Sequence, residues 1–241
     1  MEVNRKVQMA RLKVLGSGSS GNCYLLECKD ESLILEAGFN YKDILTFIGF
    51  DLGRIAGVLI SHEHNDHAKG LMGCLNAGLN IYTGKGTFSR FAGMPLVKHY
   101  LRDSETRQIG GFKVYPFAVH HDANEPLNFL IHHEEFGTLL FITDTYYIDQ
   151  TFTGLNHIII ETNYSRESIN CSYSDRVFRS HMSLETAIET LQANDLSNVK
   201  TITLCHLSDK NSNEKVFIEK VERATRKAVY VANKGLNLEL N

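Results

Sequence analysis

The apolar run Gly57–Ile60 stops at Ser61, and the next six residues read His62-Glu63-His64-Asn65-Asp66-His67. Imidazole and carboxylate at this density suit a borderline divalent cation such as zinc, manganese or iron. The missing thiolates argue against a purely structural, cysteine-rich site. The spacing says more. In an extended segment, side chains two residues apart point the same way, so His62 and His64 can reach one metal. Asp66 and His67 follow after the chain turns and can face a second. A His-rich solvent loop is the competing reading, but three His and one Asp directly behind a buried-looking strand favour ligands.

Two metals need more ligands than this loop supplies. His120 and His121 follow the expected strand Phe112–Val119, Asp144 follows the apolar run before it, and His206 follows Thr201–Cys205. Each sits at the C-terminal end of a strand, where loops gather at one edge of a sheet and build sites. Together with the first loop they complete two four-ligand sites. His99, His132, His133 and His157 lack that placement and read as structural or surface residues.

Periodicity and breakers outline the remaining elements. Strands are expected at Arg11–Leu15, Leu79–Thr83, His157–Ile160, Lys200–Leu204 and Val229–Val231. Hairpins are expected over 23–35 and 127–142. Helices are expected at Tyr41–Ile48, Ala68–Asn76, Ser183–Asn194 (capped by Ser183) and Asn213–Thr225. The last of these shows Val216, Ile218, Val221 and Ala224 on one side. Hairpins early and strand–helix alternation late point to a sheet sandwich with helices outside. With no repeat and no Pro/Gly/Ser linker, a single domain over 11–241 is expected, preceded by a polar, flexible segment over 1–10.

A net charge of −3 gives no polybasic surface that would bind nucleic acid through counterion release alone. It leaves room for a local patch, or for metals facing phosphates. Cys23, Cys28, Cys74, Cys171 and Cys205 are odd in number and without CxxC spacing, so no disulfide framework is expected and a reducing, cytoplasmic compartment is. No signal peptide and no membrane span are expected. The oligomeric state is left open.

The His62-x-His64-x-Asp66-His67 loop resembles that of the metallo-β-lactamase superfamily. Seven segments together resemble its YycJ/WalJ-like bacterial branch: GSGSSGNCYLLE, SHEHNDHAKGL, HHDANEP, TDTYYI, ETNYS, SHMSLETA and CHLSDKNSN. The resemblance implies an αββα sandwich of two mixed sheets flanked by helices, with metals at one edge. It implies His62, His64, Asp66, His67, His121 (rather than His120), a bridging Asp144, and His206 as ligands. Glu36 stands where relatives carry Asp, a position that orients the ligand loop from behind. His181, in the SHMS segment, becomes the candidate to protonate a leaving oxygen or clamp a phosphate, and Asp66 and His181 are the residues expected to be catalytic.

The expected function is therefore a dinuclear phosphodiester hydrolase using two divalent ions, zinc or manganese. A DNA exonuclease is the first reading. A small-molecule or cyclic-nucleotide phosphodiesterase is the alternative, and a non-catalytic, metal-stabilised binding protein the reading from another class. A lactonase or thioesterase would use the same metals on a carbonyl. GSGSSGN lacks nucleotide-binding spacing and is explained as well by a tight turn as by phosphate contacts. Lys210 reads as a solvated loop charge, and packing is the expected role of Tyr146 and Tyr147.

Overall fold

The computed structural model describes residues 9–91, 99–167 and 174–241. Among them run strands β1 (Arg11–Gly16), β2 (Cys23–Glu27), β3 (Ser32–Leu35), β4 (Ile55–Leu59), β5 (Ile81–Gly84), β6 (His99–Leu101) and β7 (Arg107–Ile109). Then follow β8 (Phe112–Ala118), β9 (Leu127–His133), β10 (Gly137–Ile142), β11 (His157–Glu161), β12 (Thr201–Cys205), β13 (Ala228–Val231) and β14 (Asn237–Glu239). The helices are α1 (Tyr41–Phe47), α2 (Asn65–Ala68), α3 (Leu71–Asn76), α4 (Lys85–Ser89), α5 (Ser174–Ser180), α6 (Leu184–Ala193) and α7 (Glu214–Thr225).

The strands form two seven-stranded sheets, ordered β14-β1-β2-β3-β4-β5-β6 and β13-β12-β11-β10-β9-β8-β7. Each is antiparallel in one half and parallel in the other. In the first, pairing is antiparallel from β14 to β3 and parallel from β3 to β6. In the second it is antiparallel from β7 to β10 and parallel from β10 to β13.

Side-chain alternation creates the layers. Leu33 and Leu35 enter the core between the sheets, with Leu139 and Phe141 facing them from the other sheet. Ile34 points the opposite way, toward Ile44 of α1 and Leu71 and Cys74 of α3. Leu140 and Ile142 likewise point outward, toward Leu184 and Leu191 of α6 and Phe217 and Val221 of α7. Helix, sheet, sheet and helix thus share three apolar cores, the αββα sandwich the sequence leads one to expect. β11 is buried at every position because both its faces are covered.

Several details differ from expectation. The helix expected over Ala68–Asn76 is two short ones, because Gly70 N–H donates to Ala37 O at 2.7 Å and a Cβ there would lie 2.4 Å from Phe39 O. In α7, Phe217 and Val221 are buried while Val216 is exposed, so the apolar stripe is rotated from the expected one. Tyr146 and Tyr147 are exposed rather than packed. β6, β7 and β14 escaped sequence reading, being only three residues each. Residues 1–8 of the expected N-terminal segment, and Cys171, lie outside the described residues. Among the described residues, no helix is long and apolar enough to cross a membrane.

Topology decides where the loops go. β10, β11 and β12 are parallel, and β8 runs with β10 because each is antiparallel to β9. Their C-terminal ends therefore share one edge, which presents His121, Asp144, Glu161 and His206 in turn.

Candidate metal centre

The loop after β4 is built before any ligand is considered. His64 has extended backbone (φ −63°, ψ 147°) and starts the one-turn helix α2, which carries Asp66 and His67. The backbone of that turn is pinned from behind: Asn22 N donates to Asp66 O at 2.8 Å, and Ala37 N to His67 O at 2.8 Å. Gly38 lies so close that a Cβ would sit 1.8 Å from Asp66 O, which only glycine permits. Glu36 is fully buried. Its carboxylate accepts Ser61 N at 3.2 and 3.3 Å and lies 3.4 Å from His67 Nδ1. Glu36, Asp144 and His206 all have positive φ (64°, 40° and 54°), the kind of local strain that gathers at functional sites and is held by surrounding contacts.

Two groups of candidate ligands result. In the first, His62, His64 and His121 converge, with His64 Nδ1 3.0 Å from His62 Nε2 and 3.1 Å from His121 Nε2. The Ser180 carbonyl can only accept, so His121 carries its proton on Nδ1 (2.8 Å) and turns the lone pair of Nε2 inward. In the second, Asp66, His67, Asp144 and His206 converge. Asp144 lies between the groups. Its Oδ2 is 3.9 Å from His62 and 3.7 Å from His121, while its Oδ1 is 3.3 Å from His67 and 3.5 Å from His206. All seven residues singled out as ligands therefore meet. His120 does not join them: it contacts Asp149 at 2.6 Å instead.

These groups fit divalent cations. His206 Nε2 is buried without a hydrogen bond and lies 3.5 Å from Asp66 Oδ2, a position where a cation could replace the ring proton. Electrostatics agree. Burial pushes the His206 imidazole down, but Asp144, Asp66 and Glu161 outweigh it and hold it up at about 10. Burial likewise opposes a charge on His67, yet Asp144 and Glu36 raise it. Asp144 is held well below the usual carboxylate range, against its burial, by His206 and His67. The carboxylates thus create a field that draws positive charge to this point. His62, in contrast, is lowered by burial and by the neighbouring His67 ring.

Two supporting residues were not identified from sequence. Glu161, fully buried at the end of β11, accepts Thr145 N at 3.0 Å and Met182 N at 3.1 Å on one oxygen. Its other oxygen contacts His181 Nδ1 at 2.7 Å and His206 Nδ1 at 3.0 Å. Burial pushes Glu161 up, but His181 outweighs it and keeps the group ionised. Burial lowers His181, but Glu161 outweighs it and holds the imidazole above its ordinary value. Asn22 is the second. Its Nδ2 lies 3.1 Å from His67 Nε2, and its Oδ1 accepts Gly18 N at 2.8 Å. The GSGSSGN turn thus serves the site from behind: Ser17 Oγ accepts His206 N at 2.8 Å. A Glu closing an Ile-Ile-Ile run, with no solvent-facing neighbour, was the available signal for Glu161.

The ligand edge opens into a cavity of about 550 Å³ lined by His64, Asp66, His121, His181, His206 and Arg90 among others. It adjoins a second cavity, of about 320 Å³, that shares Ser19, Asn65, Asp66 and Arg90 and adds Ser20 and Lys69. Lys210 is exposed and lines neither.

The family model described as anti-Pycsar protein Apyc1 matches residues 11–85. Over 226 residues the chain is 28% identical to the exodeoxyribonuclease WalJ of Streptococcus pneumoniae, covering 84% of this chain and 83% of that protein. It is 28% identical over 223 residues to the exodeoxyribonuclease YycJ of Bacillus anthracis, covering 83% and 84%. Among solved structures, the metallo-β-lactamase fold protein YhfI of Bacillus subtilis superposes with a TM-score of 0.77 at 16% identity, over 96% of this chain and 100% of that one. The chain is a metallo-β-lactamase-fold protein, similar in sequence to the WalJ and YycJ exodeoxyribonucleases.

Proposed function

We propose that this protein is a dinuclear, metal-dependent phosphodiester hydrolase that degrades DNA from an end. The observation that carries the chemistry is the meeting of seven ligand side chains beside the Glu161–His181 pair at one open cavity. The DNA substrate is supported by the similarity to exodeoxyribonucleases over most of the chain.

His62, His64 and His121 would hold one divalent ion; Asp66, His67 and His206 would hold another, and Asp144 would serve both. When bound, such ions neutralise charge on phosphate oxygens and bring the pKa of water down to about 7. Zinc and manganese both accept this donor set.

The chain's own groups supply the rest. Glu161 anchors the Nδ1 side of His181, which leaves the Nε2 edge for the cavity that His181 lines. Glu161 holds that ring's pKa above its ordinary value, which favours its role as proton donor to the departing ester oxygen. Arg90 and Lys69, along the adjoining cavities, offer positive charge to phosphates on either side of the scissile one. Such a local patch reconciles a nucleic-acid substrate with a net charge of −3. A cytoplasmic setting, with DNA at hand and thiols kept reduced, suits this role.

The test is a substrate panel: end-labelled DNA and RNA beside cyclic mononucleotides, each with manganese or zinc. Progressive shortening of DNA is expected. Cleavage of cyclic nucleotides without degradation of any polynucleotide would replace this reading with a small-molecule phosphodiesterase.

A further inference from the structure

At the opposite end of the sandwich lies a second group of donors. Cys28 is in the β2–β3 turn of one sheet, while His133 ends β9 and Glu135 sits in the β9–β10 turn of the other. Their Sγ, ring-nitrogen and carboxylate atoms all lie within 4.8 Å of one another. Cys28 Sγ is 3.4 Å from His133 Nδ1. From this geometry we infer that Cys28, His133 and Glu135 form a structural site for a divalent cation of the zinc class, tying the two sheets together away from the catalytic edge.

The ring orientation supports it. His133 Nδ1 also meets the Glu135 N–H at 3.2 Å. A backbone N–H can only donate, so the ring proton sits on Nε2 and the Nδ1 lone pair faces the turn, where a cation would take it over from the Glu135 amide. Nε2 faces the Glu31 carboxylate at 3.5 Å, and Glu31 is itself fixed by Gly111 N at 2.8 and 3.0 Å. A histidine whose outer nitrogen is held by a carboxylate while the inner one faces donors is the arrangement that orients metal ligands. Phe112 and Phe136 pack against the ring, with centroids 4.6 and 5.6 Å away. Glu135 is positioned by Lys29 N, at 3.1 and 3.0 Å from its two oxygens.

The donor set also selects the ligand. Thiol, imidazole and carboxylate together suit zinc-class ions, whereas calcium and magnesium prefer oxygen alone. Burial, with Glu135 and Glu31 adding to it, keeps the Cys28 thiol protonated while no cation is present. Binding therefore displaces the thiol proton to solvent and forms the sulfur–metal bond, so affinity rises with pH. Of the three donors, Glu135 lines a solvent-open cavity together with Lys29 and Glu134.

Cobalt(II) is the probe, because sulfur-to-cobalt charge transfer absorbs in the near ultraviolet and the proposed catalytic ligands are all His and Asp. The chelator-stripped protein is titrated with cobalt as wild type, Cys28→Ser and His133→Gln. Each variant is checked for native circular dichroism and read separately, so one that misfolds leaves the other as the test. The expected result is a charge-transfer band in the wild type that both folded variants lose, with one fewer cobalt per chain and hydrolase activity kept. No such band in the wild type, or its survival in either folded variant, overturns the site.

Discussion

Glu161 links the two halves of the site's hydrogen-bond network. One buried carboxylate contacts two imidazoles, His181 and His206, and is itself fixed by two backbone amides. Replacing it with Gln keeps its size and removes its charge. The expected outcome is a loss of about 10- to 100-fold in activity or metal affinity with the fold intact, measured by kcat/KM and by metal titration. Positioning residues of this kind are hard to find in sequence, since a carboxylate beside three isoleucines carries no spacing signal. The candidate ligands His62, His64, Asp66 and His67 were legible because four donors stand within six residues. His157 supplies a pH prediction independent of the metal centre. It is buried, with Nδ1 2.8 Å from Thr201 Oγ1, and burial and then Lys200 lower its pKa from 6.5 to about 4. The folded state thus binds fewer protons than the unfolded chain between these values. The stability this group contributes is complete above pH 6.5 and falls as the pH drops toward 4. Acid destabilisation of the wild type should exceed that of His157→Gln by up to about 3 kcal/mol, read by denaturant unfolding at pH 7 and 4.5.

Among elements, the loop after β4 depends on the turn after β3. The Glu36-Ala37-Gly38 segment receives Asp66 and His67 through backbone contacts, and there is no room for a Cβ at Gly38. Gly38→Ala is expected to cost about 1–3 kcal/mol through forced backbone shifts and to weaken metal retention. Thermal unfolding and metal content measure both. Strand and helix positions were readable from alternation and caps: Ser183 accepts Thr186 N, as its place before Leu184 suggests. The apolar stripe of α7 is hard to read because Val216, Phe217 and Ile218 are consecutive apolar residues, of which Phe217 faces the core while Val216 does not. Strands of three residues fall below the length at which alternation can be recognised, so β7 and β14 became visible only through pairing with β8 and β1.

For the whole molecule, two half-antiparallel, half-parallel sheets deliver the ends of β8, β10, β11 and β12 to one edge, where the loop after β4 meets them. The sandwich could be expected from hairpins followed by strand–helix alternation, together with the family resemblance. The groove that carries Arg90 and Lys69 past the ligands could not, because it joins residues from separate elements without a sequence motif. Hydrolysis should depend on divalent ions held by this candidate ligand set. The most direct measurement strips the protein with a chelator, restores manganese or zinc in steps, and follows the hydrolysis of end-labelled duplex DNA by wild type and Asp66→Ala. Activity should vanish on stripping, return in the wild type as metal is restored, and stay absent from Asp66→Ala. Full activity after stripping, or in Asp66→Ala, would contradict the account.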